Sequence, residues 1–157
     1  MKVSDILRVK GNALFTISPD ATLASAVHSM AAQDIGSLVV MEYGDLAGML
    51  TFREVIQRLH SNDGAVGSIT VRSVMDDHPL TCTPNTDVNE VRRIMLERHT
   101  RYLPIMDGRS LVGVISFYDV AKAVLDAQSF ENKMLKAYIR DWPGDETPSS
   151  SEGLAAH

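Results

Sequence analysis

A stretch of the chain is written twice. Sliding the sequence by 65 residues places Pro19 on Pro84, Met30 on Met95, Leu38 on Leu103 and Met41 on Met106. The same shift places Leu46 on Leu111, Gly48 on Gly113, Phe52 on Phe117 and Val55 on Val120, with no gap from Pro19 to Val120. Upstream, "SDIL" at 4–7 meets "RSVM" at 72–75 only after a slip of three residues. Such self-similarity constrains the fold more than any composition does. A unit this small buries too little surface to stand alone, and two related units packed about a pseudo-twofold axis solve that problem.

Each copy predicts the same order of elements: a leading segment, a helix, two strands and a second helix. In "ATLASAVHSMAAQ", Leu23, Ala26, Val27, Met30 and Ala31 recur at helical spacing, and Val88, Val91 and Met95 repeat the pattern. "SLVVM" and "YLPIM" read as buried strands, "LAGML" and "LVGVI" as their partners, and "YGD" and "DGRS" as the turns between. "FREVIQRL" and "FYDVAKAVL" open the second helices. The expected organisation is a unit at 1–60, a polar, Gly-containing linker at 61–70 and a second unit at 71–126. An amphipathic helix follows at 127–141, with Phe130, Met134, Leu135, Tyr138 and Ile139 on one face. A tail at 142–157 has the composition of disordered chain. The fold class is α/β (α+β), each unit being a small sheet flanked by two helices.

Several function classes are disfavoured. A net charge of -5 argues against a general nucleic-acid binder. No apolar run nears the roughly 20 residues that cross a bilayer, and the N-terminus lacks the apolar core of a signal peptide, so a cytoplasmic location is expected. One cysteine, Cys82, excludes an internal disulfide and reads as a small buried hydrophobe or a reactive thiol. The five histidines show no metal-ligand spacing, and nucleophile-elbow and phosphate-loop motifs are absent. No enzyme is expected, and neither is an attached catalytic or transport domain.

The repeated sentence is "GMLTFRE" at 48–54 and "GVISFYD" at 113–119. Thr51 and Ser116 each end a strand before a helix, with Glu54 and Asp119 three residues on. That spacing is the capping-box pattern, which needs no ligand. The same junction can also bind one. Helix N-termini attract anions, a carboxylate can accept both hydroxyls of a ribose, and Gly48 and Gly113 allow close backbone approach or simply serve strand packing.

The two units, "SPDATLASAVHSM…SLVVMEYGDLAGMLTFREV" and "TPNTDVNEVRRIM…RYLPIMDGRSLVGVISFYDV", resemble cystathionine-beta-synthase (CBS) domains, and the tandem resembles a Bateman module over roughly residues 3–126. The resemblance implies a regulatory protein. Its two clefts would bind adenosine-containing ligands such as AMP, ADP, ATP, NAD or S-adenosylmethionine, and it would form a homodimer acting on a separate protein target. Carried onto this chain, it implies that Ser116 and Asp119 hold the ribose in one cleft, with the Ile115 backbone and Ser37 to Val39 flanking the adenine. Phe15, Thr16 and Ile17 would complete that cleft. The other cleft would use Leu50, Thr51 and Glu54, with Cys82 and the strand from Tyr102 to Pro104.

Glu54 departs from the family's usual Asp, so the Asp119 cleft is expected to bind better and the Glu54 cleft to be weak, altered or empty. Arg53 and Arg101 are phosphate candidates by the same resemblance, or solvated surface arginines. Arg98, His99 and Lys10 are weaker candidates, and His99 also suits a helix C-terminus. Tyr118 would stack on a base or line the crevice. The rival reading is a structural adaptor that dimerises without a ligand.

Overall fold

The structure is a computed structural model and describes residues 1–11 and 13–140; the tail expected at 142–157 lies outside them. The chain divides into two units, Met1–Ala121 and Lys122–His157. In the first, α1 (Val3–Lys10) leads to β1 (Thr16–Ile17), α2 (Leu23–Gln33), β2 (Ser37–Glu42), β3 (Asp45–Thr51) and α3 (Phe52–Ser61). A 3-10 turn at Val71–Ser73 then leads to α4 (Val88–Arg98), β4 (Tyr102–Asp107), β5 (Ser110–Ser116) and α5 (Phe117–Arg140). No helix among the described residues is long and apolar enough to cross a membrane.

The hairpins of the two copies pair in the same register. β2 and β3 pair antiparallel from Ser37↔Thr51 to Glu42↔Asp45, with an irregularity between Val40 and Met41. β4 and β5 pair from Tyr102↔Ser116 to Asp107↔Ser110, with the same irregularity between Ile105 and Met106. Ile17 pairs in parallel with Val40, and Cys82 bridges Ile105 in the same way, although only the first copy extends this into a strand. Tyr43 and Gly44, both with positive φ, make the tight turn of the first hairpin, as its two-residue length requires.

The first core gathers Leu23, Ala26, Met30, Leu38, Val40, Leu50 and Val55. Their counterparts Val88, Val91, Met95, Leu103, Ile105, Ile115 and Val120 are buried likewise. Val27 and Ala31 were expected inward but are exposed, because only the Leu23–Ala26–Met30 seam of α2 meets the sheet.

The leading segments are exchanged. α1 precedes the first repeat but bonds to the second: Val3 N donates to Thr86 O, Ser4 N to Pro84 O, and Val88 N to Met1 O. The segment preceding the second repeat bonds to the first in the equivalent way: Val71 N donates to Ala21 O, Arg72 N to Pro19 O, and Leu23 N to Ile69 O. Val71 thereby completes the first core, and both Val3 and Val71 are fully buried. The two glycines of the repeated sentence are explained by this crossing. A Cβ on Gly113 would meet Leu7 Cδ2 of α1 at 2.8 Å, and one on Gly48 would collide with the Asp76 carbonyl oxygen. The close approach there is of the exchanged chain.

The second helix of the second repeat does not stop near Asp126. It runs as one α5 through Arg140, where the sequence suggested two helices; "FYDVAKAVLDAQSFENKMLKAYIR" contains no glycine or proline to end it. Within the second unit, Leu125, Phe130, Met134, Leu135 and Ile139 are exposed.

Candidate functional site

Two clefts open at the two strand-to-helix junctions. The first, about 830 Å³, is lined by Phe15, Ser37, Val39, Ser116 and Tyr118, with Lys10, Met95, Leu96 and Phe117 among its other walls. The second, about 600 Å³, is lined by Thr51, Arg53, Glu54, Asp76, His78, Leu80 and Arg98. His99, Thr100, Arg101 and Tyr102 line both and form a shared wall. His99 closes α4 with φ of 53°, the left-handed C-cap that Asp34 provides for α2.

Both junctions are capping boxes. Glu54 Oε1 accepts from the Thr51 amide and hydroxyl, each at 2.8 Å. Asp119 Oδ2 accepts from the Ser116 amide at 2.8 Å, and Ser116 Oγ accepts from the Asp119 amide at 3.0 Å. The Phe117 amide donates to Arg101 O at 2.7 Å, and Phe52 to Gly36 O at 3.2 Å. In the first turn of α5 only the Tyr118 amide is then left open among the described hydrogen bonds. The start of α5 therefore leaves little amide donation facing the first cleft, whose positive charge comes from side chains such as Lys10 and Arg101.

The junctions differ in what touches the acid. Lys10 Nζ, from the last turn of α1, donates to Asp119 Oδ2 and to Val114 O, both at 2.7 Å. Burial pushes the Asp119 carboxyl up, but the hydrogen bonds from Lys10 and Ser116 outweigh it and hold the group below the ordinary carboxylate range. The residue at the matching place before the second cleft is His78, which bonds Asp77 on its own segment and is 91% exposed. Glu54 accordingly has no cation on it among the described residues. The wall differs too. Where the first repeat has Gly36 and Ser37, the second has Arg101 and Tyr102, and the Tyr102 hydroxyl fills the space above Gly36 that a side chain there would need.

Of the residues expected at the first cleft, Phe15, Ser37, Val39, Ser116 and Tyr118 line it, and Asp119 reaches it through Lys10. Thr16 and Ile17 lie beside it in β1, paired to Val39 and Val40, and Ile115 is fully buried. At the second, Thr51, Arg53, Glu54 and Tyr102 line the opening, while Leu50, Pro104 and Cys82 are buried behind it. Burial, with the Glu90 charge adding to it, pushes the Cys82 thiol up to about 11, so it is a packed thiol rather than a reactive one. Arg53, Arg98 and Arg101 form no ion pair among the described residues. The apolar wall of Met95, Leu96 and Phe117 has no signal in the sequence: the helical spacing of Met95 marks it as core and gives no sign that its face also borders a cleft. No group of three His, Cys, Asp or Glu among the described residues could hold a metal ion.

The family model of the CBS domain matches residues 3–61 and 71–126. A CBS domain-containing protein of Bacillus subtilis, YhcV, is 33% identical over 106 residues, covering 68% of this chain and 75% of its own. The crystal structure of the CBS-domain containing protein ATU1752 from Agrobacterium tumefaciens is similar with a TM-score of 0.75 and 28% identity, over 78% of this chain and 98% of that one. The crystal structure of CBSX2 in complex with AMP shares the fold, with a TM-score of 0.67 and 21% identity over 81% of this chain and 98% of that one.

Proposed function

Because this chain belongs to the CBS domain family, with two tandem copies of the domain, we propose that it is a regulatory module that senses an adenosine nucleotide and acts on a separate partner protein. The observation that carries this reading is the first cleft: a strand-to-helix junction holds an ionised carboxylate, Asp119, against Lys10 and Ser116 in the wall of a mainly apolar crevice of about 830 Å³. A carboxylate there suits a ribose diol, and the apolar wall of Phe15, Val39 and Met95 suits a purine. Arg101 and Arg53 offer planar forks to phosphate oxygens. The complex of CBSX2 with AMP supports the ligand class, AMP, ADP, ATP or NAD. The second cleft is smaller, Glu54 is folded back on Thr51, and Tyr102 occupies the place of Ser37, which supports one strong site per chain. A homodimer is part of the proposal, as is transmission of the bound state to a target; the effect on that target is limited by the ligand's preference between the two states.

A structural adaptor is the second reading, favoured by the fact that both junctions form complete capping boxes without any ligand. Calorimetric titration with AMP, ADP, ATP and NAD at fixed salt separates the two. Binding near one site per chain that Asp119→Ala weakens supports the sensor. Binding near two sites means the Glu54 cleft is competent. No heat and no change in melting temperature with any nucleotide favours the adaptor.

A further inference from the structure

Lys10 sits on the carboxylate that the reading above gives to the sugar, Asp119. Its ammonium and the Ser116 amide both donate to the same oxygen of Asp119, Oδ2. A vicinal diol engages a carboxylate through both oxygens, so full ribose binding at Asp119 competes directly with Lys10. The pair is also sheltered: the side chains of Lys10 and Asp119 are only 33% and 16% exposed. The second cleft has no such contact, since His78 turns to Asp77 and Glu54 is held by Thr51 alone among the described residues.

Resting on the nucleotide-binding reading above, we propose that Lys10 sets the charge selectivity of the first cleft: it holds Asp119 in the empty state, yields that oxygen to the sugar of an incoming ligand, and then meets the ligand's phosphate. The cleft therefore prefers phosphorylated adenosine ligands to neutral adenosine, and rejects a cationic sulfonium such as S-adenosylmethionine. The physical reason is the fate of the ammonium. An ammonium has three donors, of which Asp119 and Val114 O use two, so it can turn toward a phosphate oxygen while keeping the Val114 bond. A neutral ligand that displaces it leaves a half-buried cation without its counter-charge, which is unfavourable. A sulfonium adds a second positive charge to the same crevice, and this repulsion discriminates further.

The test is titration of the wild-type chain, Lys10→Met and Lys10→Arg with AMP, adenosine and S-adenosylmethionine. The wild type is expected to bind AMP most tightly and S-adenosylmethionine least. In Lys10→Met, AMP affinity is expected to fall about tenfold, the size of one charge-assisted hydrogen bond, while adenosine affinity rises because its competitor is gone. Lys10→Arg should keep the wild-type order. If Lys10→Met melts early, Lys10→Gln, which can still donate to Val114 O, carries the same comparison. Equal shifts for AMP and adenosine, or a wild type that does not distinguish them, overturn the proposal and leave the nucleotide reading standing. Failure of the wild type to bind any of the three, together with ATP and NAD, overturns both.

Discussion

Gly48→Ala and Gly113→Ala add the same methyl group at equivalent places in the two repeats, and the structure sets them apart. At Gly113 the new Cβ meets the far end of a flexible side chain, Leu7 Cδ2, at 2.8 Å, with the next atoms at 3.8 and 3.9 Å. A small rotation of Leu7 accommodates it. Replacing glycine also narrows the unfolded ensemble, worth about 0.4–1 kcal/mol in favour of the folded state. The net change at Gly113 should fall within about 1 kcal/mol of zero. At Gly48 the Cβ collides with the backbone oxygen of Asp76, with Met75 Sδ at 3.1 Å behind it. Backbone cannot rotate away. The segment must lift, and it is held there by two hydrogen bonds, Met49 N to Asp76 O and Asp76 N to Met49 O, each 2.9 Å. Losing both, at roughly 1 kcal/mol apiece, plus overpacking of about 1–3 kcal/mol, gives a destabilisation of about 2–4 kcal/mol after the entropic offset. For a chain of this size that is a fall in melting temperature of roughly 5–15 °C. Thermal unfolding followed by circular dichroism reads it directly. A Gly113→Ala loss equal to or larger than that of Gly48→Ala would refute the packing argument and with it the exchange of leading segments.

Two other outcomes follow from the ionisable groups. Cys82 should react slowly with iodoacetamide at pH 8 in the native protein and quickly in urea, because burial both covers the thiol and keeps it protonated; comparable rates in the two states would contradict its placement. Asp119 has its folded-state pKa depressed, so its contribution to stability is fully present above the ordinary carboxylate range and lost as pH falls through the folded value. Urea titrations between about pH 6 and 3 should therefore show a steeper loss in the wild type than in Asp119→Asn, and parallel curves would mean the carboxyl is not held by Lys10 and Ser116.

The repeat made most of the fold readable. The 65-residue offset predicts which strands pair and where the second helices begin, because the apolar periodicity recurs and the two-residue turns Tyr43-Gly44 and Gly108-Arg109 fall at matching places. The exchange of leading segments was not readable. It is made by backbone groups of Pro84, Thr86, Pro19 and Ala21, whose carbonyls carry no side-chain signature, and a buried valine at position 3 or 71 looks the same whichever repeat it packs on. Of the site, the junction acids were visible as a spacing of three, but Lys10 lies 109 residues from Asp119 and ranked only as a weak candidate. The asymmetry between the clefts was seen as Asp against Glu. Its larger parts, Tyr102 over Gly36 and Lys10 against His78, needed three dimensions.

The exchanged segments also set an order of assembly during synthesis. The first repeat lacks Val71 until the chain has been extended past its own end, so its core stays open while the linker emerges. α1 waits longer still, since its partners at Pro84, Thr86 and Val88 are made more than half a chain length after it. During that interval Val3 and Ile6 are apolar surface without a place to go. α1 is thus made well before the repeat on which it docks, and its apolar face is covered only once the second repeat has followed.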